Sequence, residues 1–184
     1  MNLLCEPFPD KVMVGGREFP IRTDFRAVLK MIYSLELGKS QEDRLTAILG
    51  LYKEMPDDLE AAIQAVVDFI AGEPGGAQEE EGKEIKKTIS YQKDAPYIIG
   101  DFLHFYGIDL TSCRYLHWQK FQTLLVGLSE DSEIKKRISY WCIDAGKIKD
   151  RHERARIIRI QKAVSIEDTE ADEGRIGELF GSLM

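Results

Sequence analysis

From Phe25 the apolar residues recur three and four apart, so that Phe25, Val28, Leu29, Ile32 and Leu35 fall on one face of an expected helix with Thr23 as its cap and Gly38 at its close. Ser40 opens a second helical pattern, "QEDRLTAILGLYKE", which the Met55-Pro56 step ends because the residue before proline avoids helical geometry. A third pattern starts at Asp57, points Leu59, Ile63, Val66, Val67 and Ile70 inward, and stops at Gly72. Ahead of all three, "KVMVGGREFPI" reads as two short β-branched or aromatic stretches around Gly15-Gly16, which supply the positive φ of a tight hairpin turn. A hairpin and three helices therefore make an expected N-terminal unit over residues 1–72.

From Glu73 the texture changes to "EPGGAQEEEGKEIKK", which has no apolar period and cannot bury enough surface to offset the entropy of ordering it. A flexible linker over 73–90 is the expectation. A C-terminal helical unit over 91–164 follows, with Asp94 placed to cap a helix that tolerates Pro96 in its first turn and ends at Gly107. The next helix is expected from about Ser112 to Val126. Ser129, Glu130 and Asp131 then supply a cap and negative charge for a helix that places Ile134, Ile138 and Trp141 inward. The last helix runs through "DRHERARIIRIQKAV", and an acidic amphipathic tail covers 165–184. The fold class these patterns predict is mainly α, a multi-helix bundle with one small N-terminal β-hairpin.

Composition narrows the class further. The chain has 184 residues, 43% hydrophobic and 31% charged, an ordinary globular mixture. No apolar run approaches the roughly 20 residues that span a bilayer, and "MNLLCEPFPD" has no basic region ahead of an apolar core, so a soluble, unexported protein without a membrane partner is expected. Cys5, Cys113 and Cys142 include no CxxC pair, as suits a reducing compartment. A net charge of -7 opposes general affinity for nucleic acid. Charge is nevertheless uneven: residues 147–162 hold seven Lys or Arg against two acids, and residues 167–178 hold six acids against one Arg. Arg151, Arg154, Arg156 and Arg159 are the candidate phosphate contacts of the basic stretch, although a solvated charged helix is the commoner meaning of such a run. In the tail, Ile176, Leu179, Phe180 and Leu183 are spaced for a short amphipathic helix that docks on the chain itself or on a partner.

The stretch "YGIDLTSCRYLHWQKF" concentrates the residue types that do chemistry. Cys113 and His117 lie four apart on the expected helix, but a zinc site needs three or four protein ligands, and neither His104 nor His152 completes an HxxxH or HExxH spacing. The same pair lacks an orienting third group for nucleophilic catalysis. Asp101 and Asp109 are an imaginable acid and base; the position of Asp109 just after Gly107 suits a turn or cap instead. No GxxxxGK, GxGxxG or GxSxG occurs. Catalytic, cofactor and metal sites are thus expected to be absent, and Phe102, Phe105, Tyr106, Trp118, Phe121 and Trp141 fall where helices meet, as core or as the lining of a groove for a partner helix.

The same stretch carries a family resemblance. Tyr106 to Leu110, Leu116 to Trp118, Lys120-Phe121, Leu124-Leu125, Gly127-Leu128 and Glu130-Asp131 together resemble the signature of the bacteriophage gene product fifteen family of tailed phages and prophages of Gram-positive bacteria, and "DFRAVLKM" suits its first helix. Gln119 and Trp141 depart from the pattern. The resemblance implies a tail assembly chaperone, without enzymatic activity, that works in the host cytoplasm during phage assembly. It would coat apolar helices of the tape-measure protein and help to recruit the tail-tube protein, with an upstream tail chaperone as a further partner; homo-oligomerisation stays open. Trp118, Phe121, Leu179 and Phe180 are then the expected partner contacts. The alternative is a nucleic-acid-binding regulatory or packaging factor that uses the arginines of 147–162.

Overall fold

The computed structural model describes residues 5–38, 40–72 and 89–164. The described residues form one two-stranded antiparallel hairpin and seven α-helices, so the chain is mainly α. They divide into two compact units that do not follow chain order: residues 114–123 join 5–72 in the first, and the second holds 89–113 with 124–164. The C-terminal unit expected over 91–164 therefore gives up ten residues in its middle to the first unit. The expected linker, apart from residues 89 and 90, and the whole tail with Leu179 and Phe180 lie outside the described residues.

The first unit begins with β1 (Lys11–Val14) and β2 (Arg17–Pro20), paired Val12 to Phe19 and Val14 to Arg17. Both turn residues have positive φ, 57° at Gly15 and 82° at Gly16, the geometry that closes a two-residue hairpin without strain only when glycine is present. Val12, Val14 and Phe19 turn inward. Helix α1 (Phe25–Leu37) buries Phe25, Val28, Met31, Ile32 and Leu35, α2 (Gln41–Leu49) buries Ile48, and α3 (Leu59–Ala71) buries Ala62, Ile63, Val66 and Phe69. Ser40 and Asp43 form the reciprocal capping box that fixes the start of α2.

Several boundaries differ from those read in the sequence, each for a local reason. Asp24, not Thr23, caps α1, because the Thr23 hydroxyl is engaged with the Tyr115 hydroxyl at 2.7 Å. Helix α2 ends at Leu49 rather than at Met55-Pro56, since the next residues pair with the chain after β2: the Arg22 amide donates to the Leu51 carbonyl and Ile21 bridges Tyr52. Helix α3 starts two residues after Asp57, capped by Asp58, which leaves Leu59 in the first turn 47% exposed. Val67 and Ile70 are only half-buried, and Phe69 takes the inward place between them.

In the second unit, α4 (Ala95–Tyr106) ends on Gly107 at φ 64°, and α6 (Glu133–Cys142) and α7 (Arg151–Val164) follow, joined by a 3-10 turn at Ala145–Lys147. Helix α5 (Trp118–Val126) gives its first six residues to the first unit and its last three to the second. The helix expected from Ser112 is thus shortened by six residues at its start. Asp109 accounts for the loss: its carboxylate takes the Thr111 amide, the Thr111 hydroxyl and the Ser112 hydroxyl, a local turn that competes with helical bonding. Those donors hold the Asp109 carboxyl down at about 2. The cap of α6 is Ser132 rather than one of the three residues before it, with Asp101 added from α4: its carboxylate accepts the amides of Glu133 (3.1 Å) and Ile134 (2.8 Å). Asp94 makes no cap bond within α4; it binds the Ser90 amide and the guanidinium of Arg137 at 2.9 Å.

Candidate functional site

The segment 114–118 is held against the start of α1 by paired backbone bonds: the Phe25 amide donates to Leu116 O (2.9 Å) and the Trp118 amide to Thr23 O (2.7 Å). Asp24 is the hub of this junction. Its carboxylate accepts the Arg26 amide (3.0 Å), Arg26 Nε (2.8 Å), Arg26 Nη2 (3.0 Å) and the Leu116 amide (3.3 Å). Burial alone would pull the Asp24 carboxyl up; the Arg26 and Leu116 donors outweigh it and hold the group below the ordinary carboxylate range. Arg26 Nη2 in turn donates to Arg114 O at 3.1 Å, so one carboxylate and one guanidinium fix the position of residues 114–116.

The consequence of this junction is an open groove of about 730 Å³ in the first unit. One wall is the face of α1 that carries Arg26, Ala27, Lys30, Met31 and Ser34, whose recurrence at three and four residues is what one helical face requires. The opposite wall is Thr46, Ala47, Gly50 and Leu51 at the end of α2, and Arg22, Arg114 and Tyr115 close the end. Four cations, Arg22, Arg26, Lys30 and Arg114, line it against the single acid Asp24. Arg22, Lys30 and Arg114 are exposed and make no ion pair with another described residue. The lining also includes the half-buried Ala27 and Ala47 and the buried Met31 and Leu51, which are 3% and 2% exposed.

Trp118 and Phe121 lie at the base of this assembly and not on its surface. Each is 1% exposed, and Phe121 stacks on Phe25 (5.0 Å) and on Trp118 (5.8 Å). The indole N–H of Trp118 and the side-chain Nε2 of Gln122 both donate to Ile70 O at 3.2 Å, which satisfies a carbonyl that the end of α3 leaves without a helical partner. The partner contact expected of these two aromatics gives way to packing, because a side chain with no accessible surface offers nothing to a second molecule.

Cys113 and His117 share no helix, since α5 begins only at Trp118. His117 is buried between Phe8, stacked at 5.0 Å, and Phe69, edge-on at 6.0 Å. Its Nδ1 accepts the Gln119 amide at 3.2 Å, which makes Nε2 the protonated nitrogen that donates to Pro9 O at 3.0 Å. Burial lowers the imidazole from its ordinary value, opposed by the Pro9 carbonyl and the charge of Asp10, and the ring is a neutral structural link. Among the described residues no group of three or more His, Cys, Asp or Glu is placed to hold a metal ion.

The four arginines of α7 are all exposed, but two are engaged locally: Arg154 donates to Ile148 O and Arg156 pairs with Glu153 at 3.1 Å. No described helix is long and apolar enough to cross a membrane. Nothing in the sequence analysis pointed to Arg22, Lys30 and Arg114 as a group; the signal available was two cations four apart on α1, Arg26 and Lys30, with no acid between them.

A mainly α-helical protein, built from a hairpin-led first unit with a cationic groove and a second helical unit, is the class that these features define. Within that class the chain belongs to the Bacteriophage Gp15 protein family, whose family model matches residues 4–166. No curated protein and no solved structure matches it.

Proposed function

We propose that this phage protein is a tail assembly chaperone that binds helical segments of the tape-measure protein during tail morphogenesis. Membership of the Gp15 family over residues 4–166 is the observation that carries the reading. The helical body suits it: a groove between α1 and α2 whose lining includes Ala27 and Ala47 offers a surface for a partner helix, and Tyr33 and Leu37, 40% and 59% exposed, sit one turn apart on the surface of α1. Such a role asks for surface and shape and for no reacting group, so the protein is read as a binder and not an enzyme. The tail-tube protein and an upstream tail chaperone are the further partners of this reading, and the host cytoplasm is where it would act.

Co-expression with the neighbouring tape-measure protein tests it. Tape-measure fragments should be retained on the purified chain, and retention should persist at high salt, because burial of apolar surface is nearly indifferent to ionic strength. The nucleic-acid alternative behaves oppositely: six to ten phosphate contacts lose roughly 10³–10⁵ in affinity between 50 and 200 mM salt, and replacing Arg154, Arg156 and Arg159 with alanine would abolish function. Failure to solubilise or retain any fragment would sink the chaperone reading.

A further inference from the structure

We propose that the groove between α1 and α2 docks an acidic helical segment of a partner protein, its carboxylates set against Arg22, Lys30 and Arg114 and its backbone lying close over Ala27 and Ala47. The proposal rests on the reading above that the chain grips protein helices, and it adds what such a helix must carry. Charge complementarity is the ground for it. The whole chain has a net charge of -7, yet this cleft gathers four cations around one acid. That acid is already committed to Arg26 and to the Leu116 amide, so it cannot neutralise the other three.

Shape favours a helix over a polyanion. Ala27 and Ala47 in the lining carry only methyl groups and allow the close approach of a backbone, whereas single-stranded nucleic acid is held by successive exposed aromatics that stack on bases. Tyr115, 56% exposed, is the one aromatic in the lining, and its hydroxyl is tied to Thr23. Lys30 lies on the groove face of α1, while Arg22 and Arg114 come from the segments outside the helix, so carboxylates repeated along one face of the incoming helix meet cations from more than one element.

The test uses the full-length protein and three fluorescent helical peptides of one length. They differ only in the residues repeated one turn apart along one face: glutamate, glutamine or lysine. Fluorescence anisotropy at low salt should show the glutamate peptide bound at least about tenfold more tightly than the glutamine form, and the lysine form unbound, since each exposed pair is worth up to about fivefold. Arg22→Glu, Lys30→Glu and Arg114→Glu should each weaken the glutamate peptide by about three- to tenfold with unchanged unfolding midpoints. Arg151→Glu on α7, outside the groove, should have no effect.

Equal affinity for the glutamate and glutamine peptides would overturn the proposal, as would an Arg151→Glu loss equal to that of Lys30→Glu. So would an oligonucleotide that displaces the peptide in the parent but not in the Lys30→Glu variant, or a homodimer in sedimentation that the Lys30→Glu change alone dissolves. The two readings fail separately. Tape-measure fragments retained equally by the parent and by the triple groove variant would remove this site and leave the chaperone role standing. A groove selective for the glutamate peptide, with no tape-measure fragment retained, would do the reverse.

Discussion

Replacing Asp24 with alanine should destabilise the first unit. The carboxylate has three separable roles. As the cap of α1 it satisfies the Arg26 amide, a contribution of about 1 kcal/mol. As acceptor for the Leu116 amide it serves a donor on a buried residue, whose orphaning costs about 1–2 kcal/mol. Its ion pair with Arg26 adds no more than about 0.5 kcal/mol, because the arginine side chain is 39% exposed and solvent screens the attraction. The expected loss is therefore about 2–3.5 kcal/mol, and Asp24→Asn, which keeps one acceptor and the cap but loses the charge, should cost about half of that. Urea unfolding followed by Trp118 fluorescence in a Trp141→Phe background reports the first unit alone. In Asp24→Asn, which keeps an acceptor at the junction, the glutamate peptide should bind more tightly, since the groove loses its one negative charge. A loss below about 1 kcal/mol in Asp24→Ala would refute the role of Asp24 as the hub of the junction. The pH dependence has a definite sign: the folded carboxyl is held low, so its contribution is complete above the ordinary value of 3.8 and is lost as pH falls through the depressed folded value.

His117 should titrate with the same sign at higher pH: the folded imidazole resists protonation, so stability falls as pH drops below the ordinary 6.5, until the lowered folded value is reached, and His117→Phe should flatten urea midpoints across that window. Trp118→Ala should cost about 3–5 kcal/mol and broaden or abolish cooperative unfolding, since it removes a fully buried ring and one of the two donors to the Ile70 carbonyl; a loss under about 1.5 kcal/mol would show that the site is not core. Asp101→Ala should lower stability by about 2–3 kcal/mol through the unpaired amides of the first turn of α6, measured as faster hydrogen exchange at Glu133 and Ile134 relative to the α3 amides.

The elements whose signals are local were legible before any coordinates. Gly15-Gly16 can close only a tight turn, Ser40 and Asp43 carry a complete capping box, Gly107 takes the left-handed conformation open to it, and the three-and-four spacing of Phe25, Val28, Ile32 and Leu35 fixes one buried face. Asp109 was equally readable as a turn acceptor, because its donors are two and three residues away. The family signature lay in the chain as well, spread over residues 106–131.

What the sequence could not decide are the contacts that cross ninety residues. Thr23 fits a cap until Tyr115 claims its hydroxyl, and His117 with Cys113 looks like a helical pair until the Asp109 turn delays α5 to Trp118. Trp118 and Phe121 could be surface or core by spacing alone, and only the approach of Phe25 and the end of α3 buries them. The groove is wholly tertiary: Arg22, Lys30 and Arg114 are scattered single cations in the chain, and they become one charged surface only because segment 114–118 pairs with residues 23–25. Periodicity reports which face of an element is buried, since that depends on neighbours a turn away. Which element covers that face is set by backbone and side-chain bonds between distant residues, and these leave no period to read.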